Sequence, residues 1–169
     1  MPLKDKVVVV TGGAEGLGHA TALKCAEAGG QVIVADVNLD GAEGTARTII
    51  NNGGRARAVP VDLTQEDQVA DLMEQTRNAF SHLDILINCA GILLSAGQRV
   101  DQFSSDSWSQ VIAVNLSGTF FVSNMLYPYW KKAGMVYWFF WLREPGFPVA
   151  LPQSLPPLVR VECEVLRSA

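Results

Sequence analysis

The sequence predicts an α/β domain on a doubly wound parallel sheet, and three observations carry the prediction. From residue 1 to about 133, short runs of β-branched residues alternate with longer segments of helical character. The apolar runs are continuous rather than every-other-residue, the pattern of strands covered on both faces. The segments between them are long enough to be helical crossovers, which parallel neighbours require.

The elements follow in order. "KVVVVTGG" is a buried strand closed by glycines, and "LGHATALKCAEAGG" is a helix stopped by Gly29 and Gly30. "QVIVADV" is a second strand, "GAEGTARTIINN" a weaker helix, and "RARAVPVDL" a third strand that Pro60 places towards a sheet edge. In "TQEDQVADLMEQTRNAF", Thr64 and Asp67 resemble a capping box, and Val69, Leu72, Met73, Thr76 and Phe80 share one stripe. "LDILINCAG" is the fourth strand, and a polar loop leads to one long helix around "SWSQVIAVNLSGTFFVSNML".

Past Gly134 the rhythm stops. No lysine follows Lys132, "MVYWFFWL" holds a run of five aromatics, and five of the eight prolines fall between Pro145 and Pro157. The expected division is therefore a domain over 1–134 and a divergent tail over 135–169, with the sheet truncated after its fourth or fifth strand. "MVYWFFWL" is the candidate fifth strand; the proline-rich remainder is expected to be irregular, because proline donates nothing to a ladder. A frameshift, a read-through intron or an alternative last exon would each produce such a departure.

A net charge of -4 and a pI near 5.1 argue against nucleic-acid or anionic-membrane partners, which need a basic face. Cys25, Cys89 and Cys163 are odd in number and form no C-x-x-C, which suits a reducing compartment. "MPLKDKVVVV" has too short an apolar run for a signal peptide or a membrane span, so the expected location is cytoplasmic. No metal-ligand pattern is expected.

"VVVVTGGAEGLGHA" sets Gly12, Gly16 and Gly18 at a strand-to-helix turn. Glycines there permit a tight turn, backbone approach to a pyrophosphate and close helix–strand packing, while the helix N-terminus favours anions. The alternative is a glycine-rich turn without a ligand. Asp36, 24 residues after Gly12, ends the second strand near the expected ribose-binding distance. A carboxylate there accepts the ribose hydroxyls of NAD and repels the 2′-phosphate of NADP. Glu15 adds negative charge, and Val37 and Asn38 offer no arginine. NAD is the expected cofactor, with Asp36 as an ordinary strand-end turn residue the other reading.

Together these residues resemble the short-chain dehydrogenase/reductase family, whose fold is of the Rossmann type. Thr11, Gly12, Gly16 and Gly18 match its T-G-x-x-x-G-x-G, with Glu15 and Leu17 inside the motif. Asp62 and Leu63 match an acidic site that contacts adenine; Asn88, Ala90 and Gly91 match N-N-A-G, with Cys89 in place of the second asparagine. "VNLSGTF" matches the helix that carries the catalytic asparagine, here Asn115. The resemblance implies hydride transfer between a nicotinamide and a secondary alcohol or ketone. A serine and a Tyr-x-x-x-Lys would complete the chemistry, with Asn115 anchoring a water that relays the proton.

Tyr127 and Lys131 have the right spacing in the wrong place. The tyrosine stands 12 residues after Asn115, at the expected end of the same helix, and Pro128 biases it away from helical geometry. Tyr137, the last tyrosine, has Trp141 where its lysine would stand, and Ser154 has no tyrosine after it. His19 and His82 are expected to be solvated. Three readings follow: an NAD-dependent oxidoreductase by resemblance, inactive as it stands; a catalytically silent dinucleotide-binding fragment, or a gene-model product that never folds stably; or a regulatory form that competes for a full-length partner. A homo-oligomer is a further expectation of the family.

Overall fold

The computed structural model describes residues 3–94 and 99–125. Tyr127, Lys131, the "MVYWFFWL" segment and the proline-rich stretch lie outside the described residues. Within them, β1 (Val7–Thr11) leads to α1 (Gly16–Glu27), β2 (Gln31–Asp36) to α2 (Leu39–Asn51), and β3 (Arg55–Pro60) to α3 (Glu66–Phe80). After β4 (Ile85–Asn88), a 3-10 turn over Val100–Gln102 precedes α4 (Ser105–Ile112). That helix continues as a π-helical stretch, Ala113–Gly118, and then as α-helix over 119–125.

All three strand pairings are parallel, and the sheet order is β3-β2-β1-β4. Among the described residues Pro60 therefore does lie on an edge strand, opposite Asp36 at the last paired position. The fold is the expected Rossmann-type α/β arrangement, and it explains the continuous valine run of β1. Val7 and Val9 pack into a core with Leu72, Met73 and Val122, while Val8 and Val10 pack into another with Ala22, Ala46 and Ile49. Helices α1 and α2 cover one face, and α3 with the helix after the π-helical stretch cover the other. The expected stripe of α3 is also found, with Val69, Leu72, Met73 and Thr76 buried and Phe80 half-buried.

Three local expectations need correction. The capping box at Thr64 does not form: α3 starts at Glu66, and its N-cap, Gln65, makes no side-chain bond to the helix, its Nε2 donating instead to the Thr64 hydroxyl at 3.0 Å. The Thr64 amide and hydroxyl instead donate to Asp62 Oδ1 at 2.9 and 2.8 Å. An aspartate two residues upstream offers a tight local turn that competes with the cap. Helix α2 starts two residues before the expected Gly41, because Asn38 Oδ1 accepts the Gly41 amide at 3.1 Å and caps it. The single long helix expected around Asn115 is interrupted by the π-helical stretch.

Leu72→Ala should cost about 2–5 kcal/mol, since this fully buried side chain leaves a cavity between α3 and the sheet. Ile50→Ala, on the exposed side of α2, should stay within about 0.5 kcal/mol. Urea unfolding midpoints of both variants measure the contrast, and equal costs would contradict the core assignment.

Candidate functional site

The parallel register brings the C-terminal ends of the strands into one row: Thr11 lies opposite both Ala35 and Asn88, and Asp36 opposite Pro60. Nearly every candidate residue stands on this rim or in the loop after it.

The glycine-rich loop leaves β1 at Thr11. A Cβ on Gly12 would stand 2.7 Å from the Ala90 nitrogen, and one on Gly18 would stand 1.9 Å from the Gly12 carbonyl oxygen. These contacts press α1 onto the strand end and the loop onto the segment after β4. Gly12 and Gly16 both have φ in the left-handed region, +66 and +54, but Gly16 differs in that a Cβ there would meet open space. The N-cap of α1, Glu15, makes no side-chain bond, and the first turn contains no acidic residue. The amides that open the helix are thus left without a side-chain cap, beside an open loop. This is a fitting cradle for a phosphate group. Leu17 is half-buried behind it.

Asp36 is tied into the same loop. Its Oδ2 accepts the Ala14 amide at 3.0 Å and its Oδ1 accepts the Asn38 amide at 2.9 Å. A carboxylate has about four acceptor sites, so roughly two remain after these bonds. Glu15 is exposed.

A buried polar chain joins the loop to the π-helical stretch. The Thr11 hydroxyl donates to Asn88 Oδ1 and accepts the Ala90 amide at 3.3 Å. Asn88 Nδ2 donates to Thr119 Oγ1 at 2.9 Å, and the Thr119 hydroxyl donates to the Asn115 carbonyl at 2.8 Å. The Asn115 side chain pairs with one backbone residue in both directions: Oδ1 accepts the Ile92 amide at 2.8 Å, and Nδ2 donates to the Ile92 carbonyl at 2.9 Å. Gly91 sits directly against it, since a Cβ there would stand 3.4 Å from Asn115 Oδ1.

Asp62 and Leu63 stand after β3. The Leu63 side chain is buried in the core, and its backbone packs on Gly118 of the π-helical stretch. Asp62 Oδ1 is occupied by the Thr64 turn, and the Asp62 amide donates to Gln68 Oε1 at 2.9 Å. The row therefore brings together Thr11, Gly12, Asn88, Ala90, Gly91 and Asn115, with Asp36 held against the loop from β2.

His19 is not simply solvated. It is half-buried, with Nδ1 2.7 Å from Thr45 Oγ1. His82 is exposed, as expected, and its Nε2 approaches Asp84 Oδ2 at 3.1 Å. The residues that sequence reasoning missed are Thr45, Thr119 and Ile92. Thr119 could have been found from its place four residues after Asn115, where a threonine hydroxyl reaches the preceding turn's carbonyl. Nothing local marks Thr45 or Ile92, whose partners are remote in sequence.

The sequence pattern of the family described as short chain dehydrogenase matches residues 6–136. The chain belongs to the short-chain dehydrogenase/reductase family. An uncharacterised oxidoreductase of Bacillus subtilis (strain 168), YxbG, is 38% identical over 132 residues, which make up 78% of this chain and 48% of the relative. A short chain dehydrogenase from Mycobacterium avium superposes with a TM-score of 0.74 at 32% identity, over 80% of this chain and 52% of that one. A 3-ketoacyl-(acyl-carrier-protein) reductase from Brucella melitensis, complexed with NADH, gives 0.73 at 30% identity, over 78% and 52%. This chain spans about half the length of the relatives it matches. Among the described residues, no helix is long and apolar enough to cross a membrane.

Gly18→Ala should be far more damaging than Gly16→Ala. The first forces a methyl into the Gly12 carbonyl, whereas the second costs roughly 1–2 kcal/mol for a left-handed alanine in open space. Comparing the urea midpoints of the two variants checks this, and the reverse order would refute the packing described for the loop.

Proposed function

We propose that the rim binds NAD(H) and that the chain as it stands transfers no hydride. The observation that carries the binding half is the open, uncapped N-terminus of α1 beneath Gly12, Gly16 and Gly18. Its free amides would hold the pyrophosphate, with Glu15 and Leu17 flanking it. The two remaining acceptor sites of Asp36 match the two hydroxyls of an adenosine ribose, and the Asp36 charge opposes a 2′-phosphate. Two unit charges about 4 Å apart repel by roughly 4 kcal/mol at an effective dielectric of 20. Exposed Val37 and Asn38 bring no cation to offset this. Asp62, with Leu63 buried behind it, is assigned to the adenine end. Thr11, Asn88, Ala90 and Gly91 are assigned to the wall between the loop and the nicotinamide end. The NADH complex of the Brucella melitensis relative supports the same class of ligand.

A bound nicotinamide would supply or accept the hydride. The residues of this chain that would serve the chemistry reduce to Asn115. Its side-chain amide pairs with Ile92 in both directions, and its carbonyl accepts the Thr119 hydroxyl. The serine and the Tyr-x-x-x-Lys of the family have no counterpart at the family's places in this sequence. Loss of members of a cooperating catalytic group costs orders of magnitude in rate. A non-catalytic dinucleotide-binding role is the reading that this favours.

NADH should bind more tightly than NADPH in fluorescence titrations of the full chain, and Asp36→Ala should narrow the gap by weakening NADH binding. Tighter NADPH binding would sink the charge argument. With a panel of secondary alcohols and NAD, no steady rise of NADH absorbance is expected. A rise that Tyr127→Phe abolishes would overturn the inactivity proposal and make Tyr127 catalytic.

A further inference from the structure

The Gly13–Ala14 peptide is gripped at both ends. Its carbonyl oxygen accepts the Thr45 hydroxyl at 2.9 Å, and its N–H donates to Asp36 Oδ2 at 3.0 Å. A peptide unit is rigid and planar, so fixing its oxygen and its hydrogen fixes the plane. Both grips come from the β2–α2 unit rather than from the loop itself. The Gly13 amide adds a third tie to the same unit, donating to the Ala35 carbonyl at 3.3 Å.

The Thr45 bond determines the state of His19. A hydroxyl has one proton, and that of Thr45 is committed to the Gly13 carbonyl, so towards His19 the hydroxyl oxygen is an acceptor. The Nδ1 atom of His19, 2.7 Å away, must therefore carry a proton. Neutral His19 is the Nδ1–H tautomer, the less common form of a free histidine, with its lone pair on Nε2. Thr45 is buried, which shields the relay from water.

We infer that His19 and Thr45 are positioning residues for the phosphate-binding loop, acting through the Gly13–Ala14 peptide. The inference rests on the dinucleotide reading of the rim. The plane they hold lies directly before Glu15 and Gly16, so its orientation sets where the first amides of α1 point. Because Asp36 grips the opposite edge of the same plane, the ribose end and the phosphate end of the site share one rigid element. His19 reaches this element from α1 and Thr45 from α2, so the relay also fixes one helix against the other above the loop.

The test uses the full chain. Proton–nitrogen correlation NMR of neutral His19 should show the proton on Nδ1, and Thr45→Val should release the ring to the Nε2–H form. Thr45→Val should weaken NADH binding about tenfold, as expected for losing one buried hydrogen bond to a preorganised loop. Thr45→Ser, which keeps the hydroxyl, should restore both the tautomer and the affinity. Thermal melts of each variant identify loss of folding, and the wild-type tautomer stands as a readout should Thr45→Val not fold. A proton on Nε2 in the wild type, or an unchanged NADH affinity in folded Thr45→Val, would overturn the inference. A chain that binds no NADH while His19 keeps its Nδ1 proton would refute the dinucleotide reading and uphold the grip on the peptide.

Discussion

The buried amide of Asn88 ties three elements together, and the rim takes its shape from that bond set. Left unpaired in the core, such a group would cost on the order of several kcal/mol. Here its oxygen takes the Thr11 hydroxyl from β1, and its nitrogen gives a proton to Thr119 on the helix after the π-helical stretch. Those two threonines pass the connection on, to the Ala90 amide and to the Asn115 carbonyl. Strand ends that would otherwise fray are thereby joined to the helix bearing Asn115. Buried networks of this kind specify one arrangement strongly when every member is satisfied.

A second set of ties, from Asp36 and Thr45, acts on the loop that starts one residue beyond Thr11. The loop is thus shaped from two sides, by the β4 segment through Gly12 against Ala90 and by the β2–α2 unit through the Gly13–Ala14 peptide. Binding loops on a rigid scaffold need such outside support, because their own residues are chosen for approach to a ligand. Of the glycines in this loop, Gly16 alone faces open space.

The strands and the sheet could be read from the sequence because parallel strands buried on both faces must be apolar at nearly every position, as Val7 to Val10 are. The loop glycines and Asp36 were legible for a related reason: backbone approach and strand-end charge leave residue types at fixed spacings. What stayed hidden depends on partners far along the chain. His19 reads as a solvent-facing histidine until Thr45, 26 positions on, is seen beside it. The side chain of Asn115 is paired with Ile92, 23 positions away, a contact that no local pattern signals. Thr64 was misread in the opposite way: two local patterns competed for it, and the nearer acceptor, Asp62, won.

The edge strand β3 has a consequence for how the sheet can grow. Its exposed residues include Arg55, Arg57 and Pro60, and Arg55 is drawn over the Phe80 ring, with 5.7 Å from guanidinium carbon to ring centroid. Charges and proline at an edge discourage another strand from adding there. Among the described residues, β4 forms the opposite border, and its strand, Ile85–Asn88, is wholly buried and apolar but for Asn88. Among the described residues the sheet is therefore asymmetric, with one border blunted by charge and proline and the other apolar. A strand added on the β4 side would lie beside the Asn115 end of the rim.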